Sequence, residues 1–158
     1  MRPHTVRRQR RSLPWVCGLV LIMAACADPP AAPRVLATAP PLAGQGRIWF
    51  YRDWLPSESL NLANIDVNGS YFGSVANGGA FYRDLPAGHY HISPVSYNRD
   101  FNQEKDVDLA VGQELYVKIL SSQSWDGACR DCVRDTFYVW LIPPQIAQGE
   151  IARARGGI

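Results

Sequence analysis

No stretch of the 158 residues stays apolar for the roughly 18 positions that a spanning helix needs, which excludes a transmembrane helix. Catalytic signatures are missing too. There is no G-x-S-x-G elbow, no glycine-rich phosphate loop and no H-E-x-x-H, so the commonest hydrolase, nucleotide and zinc-protease chemistries have no footing. Histidine is scarce, with three in all, and cysteine occurs four times. Neither an internal repeat nor a heptad pattern is present, which excludes solenoids and coiled coils. Acidic residues are absent from the first 25 positions. What is there in quantity is apolar: 47% hydrophobic residues exclude a wholly disordered chain, and the length suits one domain with appendages.

The amino terminus reads as an address. Arg2, Arg7, Arg8, Arg10 and Arg11 form a basic head, and an apolar stretch follows from Trp15 to Ala25. At about 1.5 Å per residue that stretch is too short to span a bilayer, but it has the form of a secretory signal. Arg10-Arg11 is a twin arginine, yet Ser12-Leu13-Pro14 fits that export pattern poorly. Leu21-Ile22-Met23-Ala24-Ala25-Cys26 resembles a bacterial lipobox, with Met23 where leucine is usual. The resemblance implies cleavage between Ala25 and Cys26, and lipidation of Cys26. The alternative is ordinary secretion, with a cut near Ala25 and Cys26 incidental. Several acyl chains on one residue give stable anchoring. Ala27 follows the cysteine and Asp28 comes one place later, a pattern that looks like outer-membrane sorting. The formal charge of +2 then changes sign. Eleven basic residues (16 less these five) face 14 acidic ones, leaving −3 and no case for nucleic-acid binding.

From Ala27 to Gln45 the chain turns to alanine, proline and small residues, the composition of an extended tether. Strand periodicity begins after it. Arg47 to Arg52 is rich in aromatic and branched residues, with Ile48 and Phe50 on one face. Ile65-Asp66-Val67 and Ser70-Tyr71-Phe72 flank Asn68-Gly69, whose residues suit the positive φ of a type I′ hairpin turn. Further strands are expected at Ala80 to Leu85, at His89 to Ser93, across Val107, Leu109 and Val111, across Leu115, Val117 and Ile119, and from Phe137 to Ile142. This spacing predicts an all-β fold: one antiparallel sandwich of about seven strands. Pro143-Pro144 stops the last strand, and Gln145 to Arg155 is a candidate short helix weakened by Gly149. The expected organisation is a signal peptide at 1–25, a lipidated tether at 26–45, a sandwich at 46–142 and a tail at 143–158.

The motifs Ile48-Trp49-Phe50-Tyr51-Arg52, Val67-Asn68-Gly69 leading to Phe72-Gly73, Ala76-Asn77-Gly78-Gly79, Leu85-Pro86-Ala87-Gly88-His89 and Leu115-Tyr116-Val117-Lys118 form a set. Together they resemble a bacterial lipoprotein family known as domain of unknown function 2846. The resemblance covers roughly residues 46 to 142. It implies a sandwich related to transthyretin-like or carboxypeptidase-regulatory domains, and it implies no known activity and no catalytic residues. Ser121 to Asp135, with its Cys-x-x-Cys, departs from the pattern.

Cys129-Arg130-Asp131-Cys132 is the sharpest local feature. With Cys17 cleaved away and Cys26 acylated, these are the remaining thiols, and an oxidising periplasm favours a disulfide between them. Thiol-disulfide exchange is the alternative; Asp126 and Asp131 oppose the thiolate that it needs, while Arg130 and Arg134 favour it. His89 and His91 share one face of a strand, a spacing that suits metal ligation. With the two cysteines they would make four zinc ligands; the plainer reading is two polar residues on a solvated face, and no metal site is assigned. Asp100 to Glu104 resembles the start of a calcium loop but has Lys105 where glycine is needed. Aromatics are plentiful, and on strands they serve a core. Trp54 and Trp125 fall in expected loops and are the interface candidates.

The sequence therefore points to a non-enzymatic lipoprotein with no cofactor beyond the lipid on Cys26. It is expected on the periplasmic face of the outer membrane, with the membrane and an envelope protein or the cell wall as partners. Two other readings stand beside it. One is a thiol-redox or metal-handling protein built on Cys129 and Cys132, the other a glycan or peptide binder built on Trp54 and Trp125.

Overall fold

A computed structural model of the chain describes residues 38–125 and 133–156, the side chains at 124–125, 133–134 and 155–156 excepted. Eight strands and one helix follow in order. They are β1 (Gln45–Tyr51), β2 (Ala63–Val67), β3 (Ser70–Val75), β4 (Ala80–Pro86), β5 (Gly88–Pro94), β6 (Lys105–Leu109), β7 (Glu114–Trp125), β8 (Val133–Leu141) and α1 (Pro144–Gly156). Two four-stranded sheets, β4-β1-β7-β8 and β3-β2-β5-β6, pack face to face as the expected sandwich. One pairing departs from the all-antiparallel expectation: β1 and β7 run parallel, Arg47 opposite Glu114 and Tyr51 opposite Lys118.

The turns form where their residues allow. Asn68 and Gly69 both take positive φ (52° and 75°), the requirement of the tight turn between β2 and β3. The register slips once in this hairpin, between Ile65 and Asp66, because Phe72 is an extra residue on β3. Gly46 is a close approach rather than a turn. A Cβ there would lie 2.5 Å from the Ala110 carbonyl oxygen, so the carboxyl end of β6 can sit against β1 only over a glycine.

Alternation along β1 sorts its side chains to two buried faces. Ile48 and Phe50 point between the sheets, where they meet Ile65, Val75, Ile92, Val117, Ile119 and Val139. Phe50 lies 5.1 Å from Phe81 and 5.6 Å from Phe72, ring centre to ring centre. Arg47, Trp49 and Tyr51 point the other way and build a grid with β4 and β7. Its lowest row is ionic: Arg47 bonds Asp84 at 2.6 Å and faces Glu114 at 3.7 Å. The Arg47 pair holds the Asp84 carboxyl below its ordinary pKa and raises that of the guanidinium. The middle row is aromatic, Trp49 between Tyr82 at 4.6 Å and Tyr116 at 6.2 Å. The upper row is Tyr51 beside Lys118. Helix α1 covers this outer face, with Ala147 and Ile151 buried on Trp49, Tyr51 and Tyr116. Burial, with a hydrogen bond to Glu114, pushes the Tyr116 hydroxyl up to about 12. The stretch from 143 is thus part of the packed domain.

Registers sort the connections to two ends. Gln45 at the start of β1, the turn at residues 110–113 and the β4–β5 corner share the lower end, where Gly112 N–H donates to the Gln45 carbonyl. The chain before β1 is fastened there too. The Arg47 guanidinium donates to the Ala39 carbonyl at 2.6 Å, and Leu42 N–H donates to Asp84. The upper end carries the loop at 52–62, the turn at 76–79, the loop at 95–104 and the far end of the β7–β8 hairpin. That hairpin rises well past β1, with Ser121 opposite Phe137 and Trp125 opposite Val133. At its described ends, 121–125 and 133–135, the segment that departs from the family pattern therefore continues two strands. Ser121 and Asp135 meet the loop at 52–62 through hydrogen bonds to Glu58 and Ser59.

The outward edge of β8 is capped rather than left open. Ser96 Oγ accepts from Phe137 N–H, Gln103 Nε2 donates to the Phe137 carbonyl, and Val139 N–H donates to the Gln103 carbonyl. This loop removes a template for unwanted strand pairing.

Candidate interaction surface

The loop between β1 and β2 holds three charged residues, and all three turn inward. Arg52 is fully buried. It donates to the Asn61 carbonyl at 2.8 Å and the Ser59 carbonyl at 3.0 Å, and lies 3.5 Å from Glu58. Glu58 also accepts from Ser121 Oγ on β7. Asp53 pairs with Lys118, which Glu150 of α1 holds from the other side. Burial works against the Lys118 charge, but the two carboxylates outweigh it and keep its pKa above the ordinary value. Burial also raises the pKa of Tyr51, whose hydroxyl donates to Glu150 at 2.7 Å.

Polar neighbours complete the fastening. Asp135 of β8 accepts from Ser59 Oγ at 2.5 Å and from Asn61 Nδ2 at 2.7 Å. Asn77, from the turn below, accepts from Leu55 N–H and donates to the Leu55 carbonyl. The Ser57 carbonyl takes a bond from Gln123. What faces solvent is uncharged: Trp54, Leu55, Leu60 and Leu62 are 55%, 42%, 77% and 58% exposed. A cleft of about 330 Å³ separates this loop from the end of α1, lined by Asp53, Trp54, Leu55, Glu150, Arg153 and Ala154. A loop held by hydrogen bonds and ion pairs from two strands and a turn thus displays four large apolar side chains. Such a display makes this loop the candidate interaction surface of the described residues.

The residues singled out in the sequence fare differently. Trp54 lies at the centre of this surface. Trp125 is the last residue of β7, and its side chain is outside the described set. Ala25, Cys26, Cys129 and Cys132 also lie outside the described residues, and with them the cleavage, lipidation and disulfide expectations. Leu60, Leu62, Arg52 and Asp135 were missed. The available signal was charges interleaved with apolar residues through 52–62, a pattern that leaves one class to turn in and the other out.

His89 and His91 face solvent on β5, opposite Asp108 and Asp106 of β6. His89 Nδ1 lies 2.9 Å from Asp108 and His91 Nδ1 2.8 Å from Asp106, with Glu104 3.4 Å from the other nitrogen of His91. Among the described residues no cluster of three or more histidine, cysteine or acidic side chains could hold a metal ion. The hydrogen bonds to Asp108 and Asp106 raise the histidine pKa values, and His91 lowers that of Asp106. Each pair stabilises the fold only while both members are charged. The histidine contribution is full below about 6.5, the ordinary imidazole value, and is lost as pH rises through the raised folded value. The Asp106 contribution is lost as pH falls through its lowered one. Imidazole proton shifts in an NMR titration should place both midpoints above 6.5. Asp106→Asn should bring the His91 midpoint down more than that of His89; no movement would remove this pairing.

Fold and surface together define a small sandwich module with a rigid apolar loop at one end and a fastened amino-terminal strap at the other. The chain belongs to the DUF2846 family of proteins of unknown function, whose pattern matches residues 42–129. The matched span reaches from the strap through β7, and β8 and α1 lie beyond it. No curated protein matches the chain.

Proposed function

We propose that the protein is a membrane-anchored periplasmic lipoprotein whose sandwich is a non-catalytic interaction module. In this reading the lipid on Cys26 holds it to the periplasmic face of the outer membrane, and the loop at 52–62 makes the contact. The observation that carries the module is the uncharged display of Trp54, Leu55, Leu60 and Leu62 on a loop whose charges are all engaged inside. The buried cations Arg47, Arg52 and Lys118 are likewise committed to internal carboxylates, which favours a structural use of charge over a catalytic one. The anchor rests on the run Leu21 to Cys26.

Metabolic labelling with a palmitate analogue tests the anchor. Label should enter the wild-type chain in the membrane fraction and disappear with Cys26→Ser; label that persists in the variant would overturn the assignment.

A further inference from the structure

The chemistry of the loop at 52–62 narrows what it contacts. A protein partner of ordinary kind asks for about one hydrogen bond per 100–200 Å² and a polar or charged rim. On its exposed face this loop offers few of these: the polar side chains exposed there are Ser57 and Asn61, and the exposed charge nearby is Arg153 of α1 across the cleft. Its charges are spent on Ser121, Lys118 and one another. Its carbonyls are occupied from within: Leu55 by Asn77 and by the Glu58 N–H, Ser57 by Gln123, Ser59 and Asn61 by Arg52. Four carbonyls engaged from the inside beneath a loop exterior that is uncharged and mostly apolar suit the edge of a bilayer. There, an unpaired polar group or an exposed charge is costly. Tryptophan, with tyrosine, is enriched at that depth, and Trp54 belongs to the exposed set.

Chain length permits the contact. Ala39 is bonded to Arg47 at the lower end, and 13 positions in sequence separate it from Cys26. In an extended conformation that is about 40 Å. The seven residues of β1, which separate the lower end from the loop, measure only about 23 Å. A domain held on such a tether can lie along the surface and bring the loop to it.

We infer that Trp54, Leu55, Leu60 and Leu62 seat in the interface of a lipid bilayer, so that the domain rests on the membrane instead of standing clear of it. The inference builds on the interaction-module reading and names lipid as the partner. It needs the anchor for local concentration but not for the contact itself.

The test uses the full-length protein as processed in cells, reconstituted in phosphatidylethanolamine–phosphatidylglycerol vesicles with lipids brominated near the head of the acyl chain. Trp54→Phe supplies the blank for the other tryptophans. The Trp54 emission should be quenched in the wild type, and the quenching should be lost in Leu60→Glu/Leu62→Glu with an unchanged unfolding midpoint. A photoreactive residue at position 60 should cross-link to phospholipid in living cells. Absence of quenching in the wild type, equal quenching in the double variant, or cross-links to protein without lipid would each overturn the inference. Palmitate labelling of the same samples keeps the two proposals apart, because loss of the anchor removes label while loss of the loop contact removes quenching.

Discussion

Arg52→Ala should be among the most damaging single substitutions in the domain, costing about 3–5 kcal/mol, the range for breaking a buried charged network by removing one partner. The guanidinium is fully buried and bonds two carbonyls of the loop that it precedes. Removing it strips those carbonyls of donors and leaves Glu58 facing Ser121 without its cation. Ser59 and Asn61 also hold Asp135, so the damage should spread to the far end of the β7–β8 hairpin. The substitution also opens a space beside Phe137, whose ring centre is 5.4 Å from the guanidinium carbon. Arg52→Met, which fills that space but restores no donors, should recover only part of the loss. Urea unfolding reads both variants: a fall in midpoint with unchanged slope is a change in stability. A loss below about 1 kcal/mol for the alanine variant would show that the loop is held by its other bonds. Hydrogen exchange should locate the effect, with protection reduced in 52–62 and across β7–β8 before the β2–β5 core.

The β character and most of the turns were legible because they depend on local chemistry. Asn68-Gly69 carries its positive φ in its own residues, and Gly112 takes its positive φ before Gln113. The alternation at Val107 and Leu109 marks a strand with one buried face, and both residues are buried, whereas Val111, expected on the same face, lies beyond β6 in the turn at 110–113 and is exposed. What escaped depends on neighbours that a local pattern does not name. The parallel contact of β1 and β7 joins residues far apart in sequence, and parallel and antiparallel strands of similar composition read alike. From Ser121 to Asp135 the apolar alternation stops, which reads as loop. The strands continue because the surface they meet is the polar inside of the loop at 52–62. The same dependence hid the recognition surface. Trp54 stood out by type and by position between strands, whereas nothing local singles out Leu60 and Leu62, which lie outside because Arg52, Glu58 and Asp135 turn inward.

Ile151→Asp should test the least expected part of the architecture, the cover over the outer face of the first sheet, at a cost of about 4 kcal/mol or more. Ile151 is fully buried against Trp49, Tyr51 and Tyr116. Truncating a buried isoleucine costs about 2–5 kcal/mol, and a carboxylate at the same place adds the penalty of an unpaired buried charge. Cations are close by, but each is already engaged: Lys118 lies between Asp53 and Glu150, and Arg47 between Asp84 and Glu114. The cue to a second buried face was present in Ile48-Trp49-Phe50-Tyr51, which is apolar at every position where a strand with one wet face would alternate. The helix supplies that face in spite of Gly149, because its stability comes from the packing of Ala147 and Ile151 rather than from propensity. The control is Ile146→Asp, one turn away on the exposed side, which should change stability by less than about 0.5 kcal/mol. Detachment of the helix should also shift the fluorescence of Trp49 to the red as its indole meets water. If Ile151→Asp unfolds at the wild-type midpoint with unshifted emission, the helix is not the lid of this sheet, and the aromatic row of Tyr82, Trp49 and Tyr116 must be covered in another way.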